Sequence, residues 1–251
     1  MRNALSSSSK NKPLLQTLAE LSAADLAFLL ADWQLWARDD QLPPAHSHSG
    51  DPWRVWLIMD GRGAGKTRAG AEWIRAKALG LPPYAAEPSR RIALVGETLG
   101  DVRHVMIEGI SGLLAIHSDA ERPVYEPSKG QLTWPNGAIA QMFGGDNAES
   151  LRGPQFDTAW VDELAKWREP EHGWDMLQFS LRLGTHPQMV VTTTPRPLPL
   201  IKKLLEDPTT VVTRSRTADN ASNLAPSFIS EISRRYAGTV TGSAKLTQVA
   251  P

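Results

Sequence analysis

The chain places its apolar residues in short runs and helical repeats, never in long spans. Residues 53–59, Trp-Arg-Val-Trp-Leu-Ile-Met, make an apolar run of strand length. It stops at Asp60-Gly61-Arg62-Gly63-Ala64-Gly65, and Lys66-Thr67 opens a segment rich in Ala, Arg and Glu that predicts a helix. Four further runs, 91–96, 158–161, 189–193 and 210–213, read as strands, and such continuous apolar runs suit a parallel sheet buried on both faces. Thr98 with Asp101 resembles a capping box and predicts a helix reaching roughly Leu114. Residues 131–134 and 138–143 flank Pro135-Asn136-Gly137 and predict a β-hairpin. Upstream, apolar positions recur at helical spacing from Leu14 to Trp36 with Ser22 as a candidate N-cap, while residues 6–12 read as a disordered tip. Pro43-Pro44 ends that region. Strands alternating with helical segments imply an α/β fold, a mainly parallel central sheet flanked by helices.

Composition narrows the class without changing the fold. Apolar content of 41% and charged content of 22% are ordinary for a globular chain with a sizeable core. The 27 basic and 27 acidic residues cancel, so any nucleic-acid surface must be a local patch. Arg90-Arg91, Lys202-Lys203 and Arg214 with Arg216 are the candidates, each equally readable as a solvated face. The absence of cysteine excludes disulfides, thiolate metal sites and cysteine nucleophiles. No apolar run approaches the roughly 18 residues needed to span a bilayer, and the Ser- and Lys-rich start lacks a signal-peptide core. A soluble, cytoplasmic protein is expected.

Strand, glycine turn, Lys-Thr and helix in that order form the context of a phosphate-binding P-loop. Glycines let successive backbone N–H groups converge on one anion, and the helix N-terminus adds donors and positive dipole. Gly61, Arg62, Gly63, Ala64, Gly65, Lys66 and Thr67 form the expected cradle for a nucleoside triphosphate. Lys66 is placed to reach the β/γ-phosphates, and the Thr67 hydroxyl to sit on Mg²⁺. One position departs from the usual pattern: Asp60 stands where the first glycine belongs.

The run 158–161 ends in Asp162-Glu163. In P-loop hydrolases the acid at such a strand end holds Mg²⁺, and a second carboxylate orients and deprotonates the attacking water. Asp162 takes the first role and Glu163 the second, which points to the P-loop NTPases of the additional-strand, catalytic-glutamate type. Another strand ends in Thr192-Thr193-Thr194, whose hydroxyls suit a γ-phosphate sensor, although threonine is also simply a good strand residue.

Taken together, LWARDDQLPP, WLIMDGRGAGKTRAGAEWIR, LTWPNGA, ESLRGPQFDTAWVDELAKW and TTTPRP resemble the large terminase subunit, the DNA-packaging motor of tailed bacteriophages and gene transfer agents. The resemblance covers roughly Trp33 to Arg235. It implies ATP hydrolysis with Mg²⁺, double-stranded DNA, portal protein and small terminase subunit as partners, and a homo-oligomeric ring. By the same resemblance, Gln41 with Pro43 matches the adenine-contacting element, and Thr192 to Thr194 match the coupling motif. Arg152 matches the arginine inserted into a neighbouring subunit's site, with Arg62 the alternative in cis.

The family's second domain is a metal-dependent nuclease, which needs several carboxylates. After Asp207 the only acids are Asp219 and Glu231, so no nuclease activity is expected of this chain. The expected organisation is 1–44, a tip and helical segment with the adenine contact; 45–216, the ATPase core; and 217–251, a linker helix and tail. The alternatives are a truncated prophage remnant that binds nucleotide without packaging DNA, or a helicase-like P-loop ATPase.

Overall fold

In the computed structural model, which describes residues 19–236, the chain divides into two compact units, one ending at Leu42 and the other beginning at Pro43. In the first, helix α1 (Ala23–Ala31) starts at Ser22, whose hydroxyl accepts from Asp25 N while the Asp25 carboxylate accepts from Ser22 N, both at 3.1 Å. Asp32 ends α1 and caps the short helix α2 (Trp33–Trp36), whose Trp36 indole donates to Leu29 O. The tip expected at 6–12, the first residues of the expected helix (14–18) and the tail from Ala237 lie outside the described residues.

The second unit is built on eight strands, counted among the described residues: β1 (Val55–Met59), β2 (Arg91–Gly96), β3 (Val124–Glu126), β4 (Gln131–Thr133), β5 (Ile139–Gly144), β6 (Thr158–Asp162), β7 (Gln188–Thr193) and β8 (Thr210–Thr213). Their order is β3-β4-β5-β2-β6-β7-β1-β8. Only the β3–β4 and β4–β5 pairs are antiparallel. Continuous apolar runs are required because the sheet is covered on both sides. Trp56, Ile58, Leu94, Trp160 and Val190 face one core, shared with helix α3 (Lys66–Leu79). Leu57, Val95, Val161 and Val191 face the other, completed by Leu177 of α5 (Pro170–Ser180) and Leu200 and Leu204 of α6 (Pro199–Glu206). A short helix, α4 (Leu113–Ile116), lies between α3 and α5 in sequence, and α7 (Pro226–Tyr236) closes the described chain.

Two expectations need correction. The helix opened by the Thr98–Asp101 capping box does not run to Leu114. It passes into a π-helical turn at Val102–Ile107 and then breaks. Gly109 and Gly112 explain the break, since a Cβ there would lie 2.5 Å from Val105 O and 2.7 Å from Ile107 O. The hairpin forms as expected, but it gains a third strand, β3, too short and too exposed at Val124 to carry an apolar signal.

A buried histidine beside this meander sets a pH dependence. The Trp134 indole donates to His117 Nε2 at 2.9 Å, so the ring proton sits on Nδ1 and is given to Leu113 O at 2.6 Å. Burial pushes His117 down from 6.5 to about 4 against the opposing hydrogen bond to Leu113 O; Arg75 and Arg122 lower it and Glu121 raises it. The unfolded chain therefore takes up this proton first. Stability is full above about pH 6.5 and falls as the pH drops toward 4, by on the order of 3 kcal/mol from this group. Urea unfolding at pH 7 and pH 4.5 should show that loss. His117→Gln, whose amide can serve both partners, should flatten it.

Candidate active site

Parallel strands end on one edge of a sheet, so β1, β6 and β7 deliver the loops that follow them to a common crevice. β7 lies between the other two, the additional strand that separates the phosphate-loop strand from the acid-bearing strand. The loop after β1 turns at Gly63 (φ 72°) and Gly65 (φ 94°), left-handed conformations that only glycine takes without strain. Gly65 is the N-cap of α3 and, lacking a side chain, places no cap over the helix's first turn. At position 70 the helix presses onto the sheet so closely that a Cβ would lie 2.5 Å from the Trp160 ring. Thr67 is half-buried in the first turn.

Lys66 is buried and turned back onto its own loop, donating to Asp60 O and Gly61 O at 3.1 Å each. Its Nζ also lies 3.7 Å from Glu163 Oε1, which joins the two motifs in one site. Glu163 has φ 49°, the one non-glycine residue with positive φ among the described residues. A left-handed conformation costs an ordinary residue roughly 1–2 kcal/mol, and such strain is kept where surrounding contacts over-determine it. Those contacts are the Thr194 hydroxyl, 3.2 and 3.1 Å from the two carboxylate oxygens, and Lys166, 3.8 Å from Oε2.

Asp162 is 7% exposed and its Oδ1 accepts from the Thr192 hydroxyl at 2.5 Å. Burial pushes its carboxyl up to about 6; the Thr192 bond lowers it, Glu163 raises it, and Lys66 and Lys166 lower it. A divalent cation stabilises the charged form of such an acid. The protein donors fit Mg²⁺, since a carboxylate with one oxygen committed to Thr192 and a hydroxyl at Thr67 are both hard ligands. Among the described residues no group of three or more His, Asp or Glu could hold a metal ion.

A family model described as "Terminase large subunit, T4likevirus-type, N-terminal" matches residues 57–247. The chain belongs to this family. Among solved structures it is similar to the large terminase of a thermophilic bacteriophage in complex with ADP, with a TM-score of 0.62 and 16% identity over 88% of this chain and 52% of that one. The Thermus phage P74-26 large terminase ATPase domain gives 0.60 and 14%, covering 90% of this chain and 98% of that one. The HK97 bacteriophage large terminase gives 0.60 and 14%, covering 90% and 49%. At these identities the likeness is one of fold, and the chain spans about half the length of the larger chains it matches. No curated protein sequence matches it.

The crevice brings together most of the sequence-predicted residues, but not all. Lys66, Asp162, Glu163, Thr192 and Thr194 are linked by the contacts above, while Thr193 accepts from Ala165 N at 3.1 Å behind the acid pair. Arg62 is exposed on the loop. Arg152 stands apart from this cluster, 74% exposed at the end of the 3₁₀ turn Gly145–Leu151, where it pairs with Glu149 at 3.2 Å. Gln41 belongs to the N-terminal unit, buried, with its Oε1 accepting from Arg38 N at 3.3 Å. The basic pairs do not form one patch. Arg90 and Arg91 are exposed at the start of β2, Arg214 and Arg216 follow the end of β8, and Lys202 and Lys203 ride on α6.

Other participants were not legible in the sequence. Asp60, the departure from the usual loop pattern, is buried and accepts Ser215 N at 2.6 Å, tying the loop to the end of β8. The Thr217 hydroxyl donates to Arg62 O at 2.9 Å and Asn220 Nδ2 to Gly63 O at 2.6 Å. Leu224 and Phe228 lie against Gly63. The segment read as a linker thus holds the outside of the phosphate loop. No composition or spacing signal marks these residues; only the fold brings them there.

Proposed function

We propose that this chain is the ATP-hydrolysing motor domain of a large terminase, powering translocation of double-stranded DNA into a capsid. The observation that carries the reading is the 3.7 Å approach of Lys66 to Glu163, which joins phosphate cradle and general base in one crevice. The ADP and ATP-γ-S complexes of the thermophilic-phage terminase support a nucleotide as ligand. In this reading Lys66 leaves Asp60 O and Gly61 O for the β/γ-phosphates, while the amides around Gly63 and Gly65 hold the phosphate tail. Thr67 and Asp162 would hold Mg²⁺, which would supply positive charge beside the phosphoryl group. Glu163 then takes the proton of the attacking water, and Thr194, bonded to its carboxylate, reports that change to β7. Gln41 contacts adenine, Arg152 serves a neighbouring subunit, and residues 45–216 form the catalytic core between the adenine element and the linker.

DNA, portal and small subunit are partners by family, and a ring is the working assembly. DNA contact should be sequence-independent and salt-sensitive. No described helix is long and apolar enough to cross a membrane. The family match favours a packaging motor over a helicase-like ATPase.

Lys66→Ala is the direct test of the cradle. A charge-assisted contact is worth about 1.5–3 kcal/mol, so ATP affinity should fall roughly 10- to 100-fold, measured by equilibrium titration. Unchanged affinity would remove the phosphate role from this loop.

A further inference from the structure

We propose that Trp160 is a positioning residue for the metal-binding carboxylate, acting through Thr192; the inference rests on the nucleotide reading above. Trp160 and Asp162 are two residues apart on β6 and so share a face of the sheet. The neighbouring strand places Thr192 directly opposite Asp162 and Val190 opposite Trp160. Across this junction the Trp160 Nε1–H donates to Thr192 Oγ1 at 3.4 Å, and the Thr192 hydroxyl reaches Asp162 Oδ1 at 2.5 Å and Val161 O at 3.2 Å.

The polarity of this chain of bonds is forced. An indole N–H only donates, and a hydroxyl has one proton. Thr192 Oγ1 must therefore accept from Trp160. Its proton goes to the shorter, charge-assisted contact with Asp162. That commits Oδ1 and keeps the carboxylate from rotating, leaving its second oxygen for the cation.

Trp160 itself cannot yield. It is fully buried, and a Cβ at Gly70 would come within 2.5 Å of its Cε2 and 2.6 Å of its Nε1. The helix that presses on the indole is α3, which also carries Lys66 and Thr67. The Gly70 contact thus fixes the helix that carries Thr67 against the indole that, through Thr192, holds Asp162. A buried indole N–H needs an acceptor, and the acceptor it finds here is the hydroxyl that holds Asp162 Oδ1.

The test uses the full chain with Mn²⁺ as the paramagnetic probe and adenylyl imidodiphosphate as a nucleotide that is not hydrolysed. Electron paramagnetic resonance of free Mn²⁺ reports metal binding, and a parallel titration in EDTA reports metal-free nucleotide affinity. Trp160→Phe keeps an aromatic ring against Gly70 and removes the N–H. It should raise the Mn²⁺ concentration for half-saturation by about three- to tenfold, the worth of one hydrogen bond, with metal-free nucleotide affinity unchanged. In a Thr192→Val background the same change should add nothing, because the tryptophan acts through the threonine. Should Trp160→Phe fail to fold, benzothienylalanine at position 160 keeps both rings, lacks the N–H and should give the same shift.

An unshifted Mn²⁺ titration, additivity with Thr192→Val, or an equal loss of metal-free nucleotide affinity would each overturn the inference. A wild-type chain that binds no nucleotide with Mn²⁺ would overturn the nucleotide reading as well, whereas wild-type binding with an unshifted variant overturns this inference alone.

Discussion

Glu163→Gln is expected to lower kcat for ATP hydrolysis by about a hundred- to ten-thousandfold while leaving ATP affinity undiminished. A glutamine amide is nearly the shape of the carboxylate, so the Thr194 contact and the left-handed backbone at 163 can persist. It cannot accept the proton of the attacking water. Glu163 also pairs with Lys66 at 3.7 Å. Removing that charge frees Lys66 for phosphate, so binding should hold or tighten. Steady-state hydrolysis read beside equilibrium binding of a fluorescent ATP analogue separates the two effects. Loss of binding in step with turnover would mean that Glu163 shapes the cradle and is not the base.

What was legible in the sequence is what local rules write there. The β1 run, its glycine turn and the opening of α3 were readable because burial on both faces demands unbroken apolar residues and the turn demands glycine at 63 and 65. Asp162 and Glu163 were readable because polar residues ending such a run must lie at a strand's exit. The helix beyond Thr98 was overextended because its capping signal is genuine, and the break is a local backbone turn that has no room for a Cβ at Gly109 and Gly112. Long-range geometry left no trace. Thr192 pairs with Asp162 through strand register, Trp160 meets Gly70 across the sheet, and Thr217 and Asn220 reach a loop some 155 residues earlier. Asp60 illustrates the point. It read as a flaw in the motif, yet its carboxylate is the bond that ties the loop to Ser215.

Arg152→Ala is expected to cost about a thousandfold or more in kcat, with folding and ATP affinity unaffected. A guanidinium stays charged at any working pH and matches the equatorial oxygens of a phosphoryl group in transfer, so its worth appears in the transition state. Among the described residues Arg152 is 74% exposed and its ion pair is with Glu149, itself 55% exposed. Such a surface pair is worth at most about 1 kcal/mol, so little opposes the arginine's leaving it. The following residue, Gly153, has φ 113° and open space about it, so the arginine stands on a projecting turn. These features suit a residue spent on a neighbour. If it acts in trans, Arg152→Ala and Glu163→Gln subunits, each inactive alone, should regain part of the hydrolysis when mixed. Some junctions would then combine an intact base from one subunit with an intact arginine from the next. The rescued rate should rise with protein concentration, since it depends on assembly. Mixing without rescue would return the role to Arg62 on the loop itself, where Arg62→Ala should then show the thousandfold loss instead.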